Sequence, residues 1–481
     1  MNEAYDVAIV GGGPVGSVAA LSFARSGARC LLIEANPHVV RPFAGEWLHP
    51  AGVRVLRDLQ VPLCATNAAA SSGAAVNPAG RGFVVFPEDR SSPISLDYPG
   101  ELRGLAFEHH ELVNVLRGMA ADHPLIDYAA GARVNAWQPS RATDGEAPTG
   151  TLTITDAQGA VHEIQTARVV GADGRSSWTR RLLGLPEQST LISYNGGIRL
   201  TGVELPQEGY GHVILGGPGP VLLYRLSPEV VRLSIDVAPD QIELRRDPQL
   251  LLECVSPWLP DNIVEALKRA LQTDRPVWMP NRFRPRSDYG SGPVALIGDA
   301  AGYFHPLTAS GMTMGFLDAK CLVQSDSVND YSRRREAASY VPELLSNALY
   351  QAFTGQDAGT ARLRRGVYRL WRGCAAERER LMRILGGDDT GCGSFASATV
   401  RIGWEAACAT DPAGTRPWQN FRDWQGLGLM SRWALWPLAG MLPGSVRRWM
   451  RPRSSPQSPF MTHRGTKAVI EPQIRMAEIR D

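Results

Sequence analysis

Residues 298–313 read GDAAGYFHPLTASGMT, from Gly298 to Thr313, and this stretch decides how the chain is read. It follows Pro293–Ile297, PVALI, which reads as a short buried strand. The strand ends at Gly298-Asp299, loops through Pro306 and Gly311, and gives way to an apolar helix near Met312. Backbone N–H groups at such a helix start attract anions, and a carboxylate at a strand end accepts hydrogen bonds from a sugar or polyol. Asp299, Pro306, Gly311 and Met312 are therefore candidate cofactor contacts. A plain strand-to-helix turn with Asp299 as a local cap is the alternative, because short motifs are weak alone.

The amino-terminal residues supply the context. Residues 5–10, YDVAIV, form an apolar, β-branched run typical of a buried strand. Gly11-Gly12-Gly13-Pro14-Val15-Gly16 follows at once, and small residues continue a helix to about Ser26. A second strand, Arg29 to Ile33, closes with Glu34. The first glycine of such a loop permits a tight turn. The second lets a pyrophosphate approach the backbone, and the third lets helix and strand pack closely. Gly11, Gly13, Pro14, Val15 and Gly16 thus form a candidate dinucleotide loop. Glu34 is placed to bind ribose hydroxyls, with a surface carboxylate as the alternative.

Between these ends, Trp47 and His49 lie in a glycine-flanked loop and suit either core packing or a wall beside the cofactor. Residues 65–81 read as a loop, 82–86 and 94–98 as paired strands, and 109–121 as an amphipathic helix. Arg117 on that helix suits a cofactor phosphate or solvent. Residues 151–170 alternate as a hairpin leading into Gly171-Ala172-Asp173-Gly174-Arg175-Ser176-Ser177. Residues 190–285 carry strand runs and a helix near 246–272, and 316–385 are helical. The charge runs Arg333-Arg334-Arg335 and Glu377-Arg378-Glu379-Arg380 read as solvated faces. Seven of the twelve tryptophans follow residue 370. The segment 421–450 therefore reads either as an amphipathic helical pair or as an interfacial membrane element. Residues 455–481 read as a loose tail.

Bulk properties narrow the classes. A net charge of +2 over 481 residues gives no support for a nucleic-acid partner. Seven dispersed cysteines, without CxxC or metal spacing, imply a reducing compartment and no metal site. Neither a secretory leader nor an apolar run of about 18 residues is expected, so the expected location is cytoplasmic, with peripheral membrane contact left open.

Three motifs stand in order: GGGPVG with Glu34, GADGRSS, and IGDAAGYFHPLTASGMT. This set resembles the FAD-dependent aromatic-hydroxylase superfamily over about residues 5–320. Within it, GEWLHPAG (residues 45–52) and HPLTASGMT (residues 305–313) are similar to loops of squalene epoxidases. The resemblance implies an α/β fold: a Rossmann-type FAD-binding domain, an inserted β-sheet substrate domain and a helical C-terminal region. The expected division is 1–184 and 286–330 for FAD, 185–285 for substrate, and 331–454 for the helices.

By the same resemblance Val15, Glu34, Ala35, Arg41, Arg117, Asp299 and Met312 touch FAD. Asp173 and Gly174 help to hold the pyrophosphate and shape the nicotinamide approach. The sequence departs from the family at Glu111 (an arginine there), Phe83 (a tyrosine) and Ala309-Ser310 (two glycines).

The implied chemistry is a flavin C4a-hydroperoxide passing one oxygen from O2 to a lipophilic alkene or aromatic ring, with no catalytic side chain required. Such a site should be apolar and closed, with Trp47 and Phe304 as candidate pocket walls. No second GxGxxG occurs, so NAD(P)H docks transiently or a flavin or NADPH reductase stands in. The rivals are a hydroxylase of secondary metabolism, a flavin-dependent reductase of isoprenoid double bonds, a flavin-dependent halogenase, and a non-enzymatic flavin-binding module. The WxWxIP motif of halogenases is absent.

Overall fold

The computed structural model describes residues 4–38, 43–62, 79–140 and 150–408. Its first sheet has a parallel core of five strands: Val294–Leu296, Val161–Gly171, Ala4–Val10, Cys30–Glu34 and Ile126–Ala130. Both faces are covered, so these strands are apolar almost throughout; Ala8, Ile9, Leu31, Leu32, Val169 and Val170 are all fully buried. The register aligns Val10 with both Gly171 and Ile33, and Gly171 with Leu296. Four neighbouring strands therefore end at one level, and each runs into a motif singled out from the sequence. An antiparallel wing, Gly150–Thr155 and Arg133–Pro139, extends the long strand Val161–Gly171.

A second sheet of seven strands stands beside the first, in the order 277–283, 190–201, 230–237, 221–227, 210–214, 82–86 and 94–97. Five of its strands come from 190–285. The other two come from the first third of the chain and join through a parallel pairing of Tyr210–Ile214 with Gly82–Phe86. One face packs on helices Pro248–Val255 and Asp261–Thr273, with Leu223, Leu233, Ile235, Leu251 and Ile263 at the centre. The single helix expected near 246–272 is broken. Pro257 interrupts it in a 3-10 turn and Pro260 caps the next helix, because proline lacks the N–H that a helix interior needs.

The other face of this sheet carries Phe83, Val85 and Val213. It meets Trp47 and the carboxy-terminal helices through Tyr340, Val341, Trp371 and Met382. Those helices are Val328–Thr354, Ala358–Gly373, Ala375–Leu385 and Cys392–Cys408. A small third sheet joins Trp47–Leu48, Ala79–Gly80 and Gly104–Ala106. Most of the expected loop at 65–81 lies outside the described residues, as do the segment 421–450 and the tail. Ala79–Gly80, at the end of that loop, are strand.

Two readings of the charge runs need correction. Arg333 is solvated, but Arg335 is buried, with Nε 2.7 Å from Asp318. Glu377 is likewise buried, paired with Arg380 and Arg401 at 2.8 Å each. A helical run of charges cannot reveal which member turns inward when its partner is distant in sequence. Trp371 is buried and Trp404 is exposed. No helix among the described residues is long and apolar enough to cross a membrane.

The helix Gly311–Val323 crosses the first helix, Pro14–Arg25, at a point without side-chain bulk. A Cβ on Gly315 would stand 2.5 Å from a Val15 methyl, and one on Gly298 would stand 3.2 Å from another. Gly315→Val should therefore overpack this crossing and lower stability by about 1–3 kcal/mol, read as a lower thermal midpoint. An unchanged midpoint would mean that the crossing has slack.

Candidate functional site

The four strand ends build the site. After Val10 the chain turns at Gly11, whose φ is +105° and whose Cβ would strike the Ala172 carbonyl at 2.6 Å. A Cβ on Gly16 would lie 1.8 Å from the Gly11 carbonyl, so helix and strand touch here as the third glycine requires. Gly13 is different: a Cβ there would meet nothing within 4 Å. It caps the helix Pro14–Arg25 without any side-chain bond to the helix N–H groups.

At the next strand end the Gly12 N–H donates to Glu34 Oε2 at 2.8 Å. Arg117 reaches the same place from its helix. Its Nε donates to the Gly12 carbonyl at 2.7 Å and its Nη2 pairs with Glu34 Oε2 at 3.0 Å. Its Nη1 adds the carbonyls of Asn36 and Pro37, so Arg117 is a fastener between the two loops and not a solvated residue. Ala35 follows Glu34 at the loop start, and Arg41 lies outside the described residues.

The third motif turns at Asp173-Gly174. Asp173 Oδ2 accepts from the Thr179 N–H at 2.9 Å and from its hydroxyl at 3.0 Å, while Oδ1 is buried with no partner among the described residues. Gly174 has φ +73° and open space at its Cβ position. In the fourth, Asp299 stands half-exposed in a short 3-10 turn, Gly298–Ala300, with Oδ2 3.1 Å from Arg175 Nε. Pro306 opens a second 3-10 turn, Pro306–Thr308, and Gly311 starts the helix that follows. A Cβ on Gly311 would again meet nothing within 4 Å, and Ser310 gives the helix no side-chain cap. Met312 reaches Gly45, 3.4 Å from where a Cβ there would lie.

Three open glycines, two uncapped helix starts, an orphaned carboxylate oxygen and an acid at a strand end fit an elongated ligand with a diphosphate and polyol. Helix starts favour the diphosphate and the carboxylates favour hydroxyls.

The second sheet supplies the other wall. Trp47 is buried against Phe83, with ring centroids 5.0 Å apart, and Tyr224 meets it edge-on at 6.2 Å. The Trp47–His49 loop is core, and it lies on the 308–313 stretch. The His49 N–H donates to Thr313 Oγ1 at 3.1 Å. A carbonyl only accepts, so His49 Nε2–H donates to the Thr308 carbonyl at 2.7 Å, and Nδ1 takes the Tyr98 hydroxyl hydrogen at 2.5 Å. Tyr98 in turn accepts from Trp47 Nε1–H at 3.2 Å. Phe304 is buried at the opposite end of the same loop.

Three buried polar groups were not singled out from the sequence. Glu46 Oε1 pairs with Arg232 Nη2 at 2.6 Å, and Tyr224 donates to Glu46 Oε2 at 3.0 Å. His305 Nε2 lies 3.0 Å from Asp236 Oδ2 and 2.9 Å from Ser193 Oγ. Asp318 is fully buried between Arg286 and Arg335. A lone acid inside the apolar helix GMTMGFLDAKCLV was the available signal for Asp318; Arg286 had none.

A family model described as squalene epoxidase matches residues 166–391. Rat squalene monooxygenase is 27% identical over 385 residues, covering 76% of this chain and 64% of the relative's length. Squalene epoxidase ERG1 of Candida albicans is 26% identical over 424 residues, covering 76% and 83%. The fold is shared with PqsL of Pseudomonas aeruginosa, described as a probable FAD-dependent monooxygenase (TM-score 0.57, 19% identity, 80% of this chain and 99% of that one). It is also shared with the flavin-dependent brominase Bmp2 (TM-score 0.62, 17% identity, 83% and 98%). The fold is that of the class of FAD-dependent monooxygenases with a Rossmann-type FAD domain. Within that class the sequence is similar to squalene epoxidases.

Burial pushes the His49 imidazole down to about 4, against a smaller raising effect of the Thr308 carbonyl. The folded protein then binds fewer protons than the unfolded chain between the ordinary histidine value and 4. Stability from His49 is complete above about pH 6.5 and falls by roughly 3 kcal/mol as the pH drops to 4. Urea unfolding across this range should show a shallower pH slope for His49→Gln than for the natural protein. Equal slopes would mean that His49 is not held neutral.

Proposed function

We propose that the chain transfers one oxygen atom of O2 to a lipophilic alkene or aromatic ring, giving an epoxide or a phenol. FAD, when bound and reduced, supplies the activation of O2. Electrons come from NAD(P)H, directly or through a reductase. The observation that carries the cofactor assignment is the end-to-end register of the four parallel strands. It brings Gly13, Glu34, Asp173 and Asp299 to one edge, where open α/β sheets bind their ligands.

In this reading the uncapped starts of helices Pro14–Arg25 and Gly311–Val323 hold negative charge, the first on the diphosphate and the second beside the flavin ring. Glu34 takes ribose hydroxyls, with Arg117 fixing its carboxylate in place. Asp299 takes the polyol chain. Trp47, Phe304 and the inner face of the second sheet form the lipophilic wall and exclude water. Strands 82–86 and 94–97 go with the 185–285 unit in this division, and the helices from 331 onward close the sheet's inner face. Contact of the Trp-rich segment with a membrane surface stays part of the proposal for a lipophilic substrate.

Incubation with isotopically labelled O2, NAD(P)H, a reductase and a panel of alkenes and phenols should yield a labelled epoxide or phenol. A product that gains hydrogen and no label would replace this reading with a double-bond reductase. Asp299→Ala should raise the FAD dissociation constant by about tenfold or more, the loss expected for a hydrogen bond to a charged group. Its fold should persist, because among the described residues its carboxylate pairs with the half-exposed Arg175 alone. Circular dichroism and flavin fluorescence check both, and full flavin retention would refute the role of Asp299.

A further inference from the structure

One helix, Val328–Thr354, touches the Asp299 loop and its flanks along a single polar stripe. Tyr331, Arg335, Ser339, Glu343 and Ser346 follow at intervals of four, four, four and three, which is one helical face. All five are buried. Tyr331 donates to the Leu296 carbonyl at 2.8 Å, at the end of the strand before the loop. Arg335 holds Asp318, whose Oδ2 accepts the Gly298 N–H at 2.8 Å. Ser339 accepts from Tyr289 at 2.6 Å. Glu343 Oε2 accepts the Arg286 N–H at 2.9 Å, and Ser346 donates to the His305 carbonyl at 2.9 Å. Arg286 completes the frame. Its Nη1 donates to the carbonyls of Gly298 at 3.1 Å and Gly302 at 2.9 Å, on either side of Asp299, and its Nη2 pairs with Asp318.

We propose that this helix is the positioning element of the FAD loop, and that Arg286 is the positioning residue through which it fixes Asp299. The inference rests on the reading that the loop binds FAD. Local sequence does not hold the loop in place: Gly298 and Gly302 have φ +61° and +151°, conformations glycine adopts freely and leaves as freely. The loop is held from outside by Arg286 and Asp318 at Gly298 and Gly302, beside Arg180 at the Ala300 carbonyl and a backbone bridge of Arg284 with Tyr303, and the helix in turn fixes Arg286 and Asp318. The opposite side of the helix, through Tyr340, Val341, Leu344 and Leu345, packs into the cluster that contains Trp47. The loop and the lipophilic wall are therefore set by the same rigid rod.

The test compares two substitutions on the two sides of Asp318 in the full chain. Arg286→Lys keeps the charge but cannot reach both loop carbonyls. Arg335→Lys makes the same exchange where, among the described residues, the guanidinium bonds Asp318 and the Met314 carbonyl. FAD dissociation constants are measured by fluorescence, and unfolding midpoints on the flavin-free proteins. Arg286→Lys should weaken FAD about tenfold, the equivalent of a lost charge-assisted hydrogen bond, and Arg335→Lys about threefold, because Arg335 acts on the loop only through Asp318. The midpoints should fall alike. Equal FAD affinities in the two variants, whether natural or weakened, would overturn the inference. If Arg286→Lys fails to fold, Ser346→Ala decides: freeing the His305 carbonyl should weaken FAD about threefold, and unchanged affinity overturns the positioning role. A natural protein that binds no FAD at all would instead overturn the cofactor assignment, and the inference with it.

Discussion

A carboxylate shut away from water must be paired, and Asp318 is paired three times over. Its two oxygens meet Arg286, Arg335 and the Gly298 N–H, all of them buried. Such an arrangement tolerates no loose geometry, because an unpaired charge in that position costs several kcal/mol. Three elements distant in sequence are thereby forced into one relation: the strand end at Leu296, the helix after Gly311, and the long helix from Val328. The consequence reaches the site. Asp299 lies on a loop whose backbone groups on both sides are claimed by Arg286, so the carboxylate can stay half-exposed without wandering. An acid on a mobile loop would lose binding energy to ordering; this one is already ordered.

The parts legible in the sequence are those whose cause is local. A positive φ at Gly11 and a close approach at Gly16 demand glycine at fixed spacing from the strand they follow. The apolar runs 5–10 and 293–297 report burial on both sheet faces. Long-range pairing left no such trace. Strands 82–86 and 94–97 read correctly as strands, yet nothing in them shows that they extend the second sheet through Tyr210–Ile214. Arg335 looks like its neighbours Arg333 and Arg334 until Asp318 is placed beside it. The break in the helix near 246–272 is a different case, since Pro257 and Pro260 announce it and the apolar periodicity hides it. Arg117 shows the limit of one helix face: its role depends on Glu34 and Gly12, which the chain brings near only after folding.

Two departures from the squalene epoxidase pattern, Ala309 and Phe83, fall at the buried cluster around Trp47. Ala309 stands at φ +50°, a left-handed conformation that costs a residue with a Cβ roughly 1–2 kcal/mol relative to glycine. The loop nevertheless keeps that shape, because its neighbours are fixed from outside. The Ala309 N–H bonds the Pro306 carbonyl at 2.8 Å, and the Thr308 carbonyl takes both His49 and Ser310. The added methyl packs against the cluster of Trp47, Phe83 and Tyr340. Phe83 follows the same logic. Its ring contacts Trp47 and His49, and the one free acceptor on His49 is already filled by Tyr98, so no hydroxyl is needed at position 83. Both changes add apolar surface to the buried cluster around Trp47.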